Sequence, residues 1–409
     1  MQGLALHDAA PTERLQGATR RALQNLVDLA LAERVDLVLL AGDLFDGDWR
    51  DYNTGVYFAA QMARVRDAGI PIVALQGNHD AQSVMTKTLA FDRAGVQMLS
   101  TARPQTVRLD AIGVAVHGQG FARHDIVDDL AAAYPEPVPG FFNVGLLHTA
   151  LDGRPGHSTY APTTEARLAA RGYDYWALGH VHQHAVVSRE PWIVFSGNLQ
   201  GRHVRETGPK GAVLVRVDDG RVTRVEHRPL DVVRWHRCEI DMAGAVTTTE
   251  AMGRVEHALR AAHAESAGRL AAVRLELTGA TELHLRWSAD IEGLHAEVHT
   301  TVQQIDPDGL WVESVKLRTQ RPRRQGDTGV VPDSDVLQRI EQAVAALQAD
   351  GADLTPLLAV LDDLAVQLPA GVRLGSDGID LHHPDTVRGL LRAAGDLAMG
   401  RLVAGADVA

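Results

Sequence analysis

Four apolar segments each run directly into side chains that bind metal ions, and this repeated arrangement constrains the chain more than any other feature. They are VDLVLLAGDLFD (35–46), IPIVALQGNHD (70–80), FFNVGLLH (141–148) and YDYWALGHVH (173–182). Each reads as a buried strand whose last residues emerge into a loop, because a short continuous apolar run suits a strand covered on both faces. The loops would carry Asp43, Asp46, Asn78, His79, His148, His180 and His182 to one place. GD after a strand is common in turns, and a lone histidine is usually a satisfied polar residue. The weight lies in the joint occurrence, in order, at successive strand exits.

The residue types suggest roles. Asp43, directly after Gly42, can bridge two cations with its two oxygens. Asn78 offers a neutral oxygen, and His148, His180 and His182 offer imidazoles. A mixed nitrogen and oxygen set without thiolate suits manganese, iron or zinc rather than calcium. The spacing of His180 and His182 places both on one side of an extended segment. His79, beside a ligand, suits proton transfer to a leaving oxygen. Asp46 can accept a hydrogen bond from His79 and fix its tautomer. His117 and His203, in glycine-rich loops, are weaker candidates for lining a cleft, with a loop histidine bonded to backbone as the plainer reading. His7-Asp8 reads as a loop before a helix.

Bulk properties set limits. At 409 residues the chain can hold two or three domains, and its 45% hydrophobic and 22% charged content is ordinary for a globular protein. No run of about 18 apolar residues is long enough for a transmembrane helix, and the start lacks the pattern of a secretory signal. The single cysteine, Cys238, precludes an internal disulfide. A cytoplasmic setting is expected. The net charge of −12 argues against holding nucleic acid by bulk electrostatics. It does not exclude a nuclease, since bound divalent cations and a local basic stripe offset the local field.

Along the chain, helices are expected at 12–34 and about 53–68, alternating with strands at 35–41 and 70–76. This βαβ order implies a sheet with helices packed on its faces. VQMLS, QTVRLD and AIGVAVHG read as the second half of a sandwich. Antiparallel hairpins follow GHVH, with DDGR as a tight turn. The expected domains are 1–230, then a small α+β capping module at 231–320 with βαβαβ order, then a helical tail at 330–409. Lys316, Arg318, Arg321, Arg323 and Arg324 form a basic cluster that reads as a solvated linker before it reads as a phosphate contact.

GDLFD, GNHD, the isolated His148 and GHVH resemble the motifs of calcineurin-like metallophosphoesterases. AGDLFDGDWRDYNTG, LLHTALDGRPGH, YDYWALGHVHQH and SGNLQGRHVRETGPKGA are similar to the SbcD-type DNA repair exonucleases, in particular the YhaO-like bacterial branch. The resemblance covers about residues 1–235 strongly and is architectural beyond. It implies a four-layer α/β/β/α sandwich of the α/β class and two divalent cations, manganese preferred. It also implies hydrolysis of DNA phosphodiesters and an SbcC-type ATPase partner, with the tail helices as a place to clasp that partner or a second copy of the chain. In this resemblance Asp43 bridges the metals. Asn78, His148 and His180 hold the second metal, His182 holds the first, and His79 is the catalytic histidine oriented by Asp46. Relatives open with a strand ending in Asp-x-His, which the sequence does not show before Met1-Gln2-Gly3-Leu4. The expectation is a start codon assigned too late, with weak activity for the chain as written. Alternatives are a phosphoesterase acting on nucleotides or small phosphodiesters, and a catalytically impaired subunit that binds DNA or an ATPase.

Overall fold

The computed structural model describes the chain apart from residues 1–10, 46–51, 84–89, 152–159, 323–334, 350–351, 353, 368–379, 382 and 407–409. Asp46, Arg323, Arg324 and the start of the chain therefore lie outside the described residues. The chain divides into two compact units, Glu13–Trp235 and a second from His236 onward.

In the first unit, α1 (Thr12–Glu33) buries Ala18, Ala22, Val27 and Ala30, the helical stripe expected from its sequence. It leads to β1 (Val38–Leu40), α2 (Tyr52–Asp67) and β2 (Ile72–Ala74). The short α3 (Asn78–Gln82) and α4 (Phe91–Ala94) precede β3 (Val96–Met98). Strands β1, β2 and β3 form one parallel sheet. This corrects the expectation for VQMLS. The segment pairs with β2 because a helical crossover delivers it parallel to the preceding strand.

The second sheet has the order β4-β5-β6-β7-β9-β8. Its members are β4 (Gln105–Leu109), β5 (Val114–Gly118), β6 (Phe142–His148), β7 (Tyr175–Gly179), β8 (Ala185–Arg189) and β9 (Trp192–Phe195). The central strands β5, β6, β7 and β9 run parallel, and both edges are antiparallel. Four layers follow from three apolar clusters. Val27, Phe58, Met62 and Ile72 join the helices to the first sheet. Val73, Leu75, Val116, Val144, Leu146 and Val194 lie between the sheets. Leu130, Leu168, Tyr173 and Trp176 cover the far face, where α5 (Glu165–Ala170) packs. Trp176 is fully buried, and its ring occupies the space a side chain at Gly145 would need in the paired strand. A hairpin of β10 (Gly211–Asp218) and β11 (Arg221–Pro229) turns through Asp219 and Gly220 at φ 49° and 72°. Two consecutive positive φ angles are what a tight hairpin turn requires.

The second unit carries β12 (Val233–Asp241), β13 (Leu270–Ala280) and β14 (Leu310–Gln320) in one sheet, the last two parallel. Helices α6 (Thr248–Glu265), α7 (His284–Ala289) and α8 (Ile291–Ile305) join these strands. Val255, Leu259, Val273, Leu275, Leu294 and Val298 form the core. Lys316 and Arg318 lie on β14, and Arg318 pairs with Glu276 at 3.3 Å. Arg321 pairs with Glu341. Three further helices, α9 (Asp335–Gln348), α10 (Thr355–Gln367) and α11 (Pro384–Ala406), follow. Asp396 on α11 sits 3.2 Å from the buried His284 of α7, so this helix is packed within the unit.

Candidate metal centre

Three loops and one strand end converge beyond β1, β2, β6 and β7. Asp43, His148 and His180 place ligating atoms within 4.8 Å of one another. Asp43 and His180 have φ of +54° and +89°. Non-glycine residues seldom adopt such backbone, and where it occurs it gathers at functional sites. Each follows a glycine in close contact with a neighbouring loop. A side chain at Gly179 would collide with the Ala41 carbonyl, and one at Gly42 with the His148 ring and the Gly77 backbone.

Asp80, the last residue of GNHD, ties the first two loops together. It is 1% exposed, and its carboxylate accepts the N–H groups of Leu44 (3.1 Å), Phe45 (3.0 Å) and Gly77 (3.0 Å). Burial pushes this carboxyl up to about 6, aided by the nearby Asp43 and opposed by the N–H donors. The His79 N–H donates to Asp43 Oδ1 at 3.0 Å, so its backbone orients Asp43.

His148 is buried, and its Nδ1–H donates to the Ala41 carbonyl at 2.8 Å. That bond aims Nε2 at Asn78 Oδ1 (2.9 Å) and at Asp43 Oδ2 (3.4 Å). Asn78 Oδ1 also meets His180 Nδ1 at 3.3 Å. Ligands about 2.1 Å from one ion lie about 3.0 Å apart at a right angle and about 3.4 Å apart at a tetrahedral angle. The spacings match both, so these four side chains fit a divalent cation. The electrostatics agree. Burial would raise Asp43, but the His148 and His79 contacts outweigh it and hold the carboxyl well below the usual range. Burial works to lower His148, yet Asp43, the Ala41 carbonyl and Asp80 leave it raised. A site that favours a proton between these groups favours a cation there too.

Of the residues singled out from sequence, Asp43, Asn78, His148 and His180 come together, with His79 at their edge. His182 is not part of that group. Its Nδ1 meets Glu206 Oε1 at 2.6 Å. Glu206, 6% exposed, is lowered to about 2: burial raises it, but His182 and Arg202 outweigh the burial. His203 lies beside the same carboxylate at 3.8 Å. His117 does not line the cleft. It is fully buried on β5, bonded to Thr106 (2.9 Å) and Asn143 (3.0 Å) and stacked on Tyr173, so it serves the core. Three residues near the candidate ligands were missed from sequence: Asp80, Glu206 and His124. The His124 ring packs edge-on to His79, and its Nε2 lies 3.4 Å from Asn78 Nδ2. GNHD set Asp80 beside Asn78 and His79 without marking its role, and nothing local marked the other two.

Residues 6–184 match the model of calcineurin-like phosphoesterases, and residues 235–320 match that of the metallophosphoesterase YhaO middle domain. The chain is 33% identical to the uncharacterized metallophosphoesterase YhaO of Bacillus subtilis over 59% of its own length and 60% of that protein. It is 29% identical to the DNA double-strand break repair protein Mre11 of Methanopyrus kandleri, over 43% of this chain and 41% of that one. Identity to the Mre11 protein of Haloferax volcanii is 25%, over 81% and 77%. The chain thus spans about 60% and about 40% of the first two relatives. Motifs, layered fold and converging ligand atoms agree with the similarity of residues 6–184 to calcineurin-like phosphoesterases, and residues 235–320 are similar to the middle domain of the metallophosphoesterase YhaO.

Proposed function

We propose that the chain is a divalent-cation-dependent phosphodiesterase acting on DNA. The observation that carries this is the convergence of Asp43, Asn78, His148 and His180 at cation spacing. In this reading Asp43 is shared between two cation positions, with Asn78, His148 and His180 completing one and His182 contributing to the other. Manganese suits this oxygen and nitrogen set. When bound, the cations polarise a phosphoryl oxygen and lower the pKa of water.

The chain's own residues do the rest. Asp80 and the His79 N–H hold Asp43 and Asn78 in register. The partly exposed His79 ring, beside the ligands, supplies a proton to the leaving oxygen, with Asp46 as its orienting carboxylate. The Mre11 relatives, named for DNA double-strand break repair, favour DNA over small esters as the substrate. An SbcC-type ATPase is the proposed partner. On α10, Val360, Leu364 and Val366 are 65%, 46% and 80% exposed, apolar surface suited to such docking.

The test is hydrolysis of end-labelled linear duplex and single-stranded DNA beside bis(p-nitrophenyl) phosphate, with manganese titrated in. Expected is manganese-dependent DNA cleavage that D43N and H79A abolish. Turnover of the small ester alone would overturn the DNA assignment. Failure of the chain to bind manganese would overturn the metal assignment.

A further inference from the structure

Resting on that reading, we propose that Glu206 is the positioning residue of the second cation position. Its carboxylate accepts a hydrogen bond from His182 Nδ1–H and so leaves the lone pair of the ring on Nε2, the nitrogen that would hold a cation. No motif in the chain assigns a role to Glu206, which lies 24 positions beyond the histidine it contacts.

The geometry sets the direction of the three hydrogen bonds to this carboxylate. Oε1 receives the His182 ring at 2.6 Å. Oε2 receives the Arg202 N–H at 2.8 Å and Asn198 Nδ2 at 3.0 Å. Asn198 Nδ2 also donates to the Gln200 carbonyl at 3.0 Å, which fixes the amide, since turning it over would set its oxygen against a carbonyl and a carboxylate. Oε2 thus faces donors only. Lys210, 2% exposed, anchors the histidine's backbone by donating to the His182 carbonyl and to Gln183 Oε1, each at 3.0 Å. A ring nitrogen held by a carboxylate is the usual outer-shell device for orienting a metal-binding histidine.

The arrangement makes E206Q an asymmetric perturbation. The glutamine oxygen must take the Oε2 place, because Arg202 N–H and Asn198 Nδ2 both donate there. The amide NH2 then faces His182 Nδ1 and turns that nitrogen into an acceptor. The ring proton moves to Nε2 and blocks it. The loop keeps its hydrogen bonds, so the variant folds, while the histidine presents the wrong tautomer.

Two readouts test this. In long-range 1H–15N spectra of the metal-free protein, recorded where histidines are neutral and assigned with H182Q, wild-type His182 should show a proton on Nδ1 and E206Q a proton on Nε2. An unchanged tautomer would overturn the proposal. In manganese titrations counted by electron paramagnetic resonance, E206Q should weaken by about 10–100-fold the same binding class that H182A abolishes, leaving the class that H148A abolishes. Wild-type affinity in E206Q would overturn it. If H182A binds like wild type while H148A does not, His182 is no ligand and the proposal fails alone. If H148A also binds like wild type, the metal reading itself fails.

Discussion

Asp80→Ala should open the loop pair that holds the proposed ligands, by an amount the structure allows to be worked out. The carboxylate accepts three N–H groups from two loops, those of Leu44, Phe45 and Gly77. A buried donor left without a partner costs about 1–3 kcal/mol. The Phe45 and Gly77 bonds are buried, whereas the Leu44 bond is partly exposed and water can replace it. The expected cost is therefore about 3 kcal/mol, taken locally by the loops rather than by the whole unit. At 1.4 kcal/mol per decade this is about a 150-fold loss of amide protection. Asp80→Asn is milder. Its oxygen can keep the Leu44 and Gly77 bonds, while its NH2 faces the Phe45 N–H, so one bond is lost, worth about 1.5 kcal/mol or tenfold. Hydrogen–deuterium exchange of peptides covering 38–45 and 75–80 measures both. Manganese affinity should fall in the same order, because Asp43 and Asn78 sit in these two loops. If both variants exchange within about threefold of wild type, Asp80 is not the staple and the reasoning is wrong.

Other outcomes can be checked directly. His79→Gln should keep cation affinity, because the contact with Asp43 is made by the backbone N–H at 3.0 Å, yet lose about 10²–10⁴-fold in hydrolysis of an unactivated diester. Loss of cation binding would show the ring to be a ligand or a structural residue. Gly145→Ala forces a methyl group into the Trp176 ring, and thermal melts should report a cost of about 1–3 kcal/mol. His227, stacked on His184 at 4.6 Å, is lowered to about 4, by burial first and then by its neighbour His184. Between pH 6.5 and 4 the unfolded chain binds the extra proton, so stability conferred by the neutral ring is full above 6.5 and falls as pH drops through that window. His227→Gln should flatten the pH dependence of urea midpoints there, and an unchanged slope would count against the assignment.

The legible part of the site shares one local signal, and the illegible part shares its absence. Asp43, Asn78 and His180 each follow a glycine, at 42, 77 and 179, and each emerges from an apolar strand. The structure supplies the reason. A side chain at Gly42 would press on the His148 ring, one at Gly77 on Asp43, and one at Gly179 on the Ala41 carbonyl. The glycine marks where two loops touch, and the next residue is the one aimed into the space between them. His148 lacks this glycine because it still belongs to β6, where strand direction alone sets its aim. Glu206, His124 and Asp80 act through partners supplied by other segments. The first two touch side chains 24 and 46 positions away, and Asp80 touches backbone N–H groups, which no side-chain pattern encodes. His117 failed in the opposite sense. Its neighbouring glycines suggested a loop, yet it lies between β4 and β6 with both ring nitrogens bonded, and inner-strand burial outweighed composition. A glycine followed by a proposed ligand at a strand exit is therefore a testable rule for this chain. Gly179→Ala should cost cation affinity at the His148 position more than His124→Ala does, although only the latter removes a polar group beside the ligands.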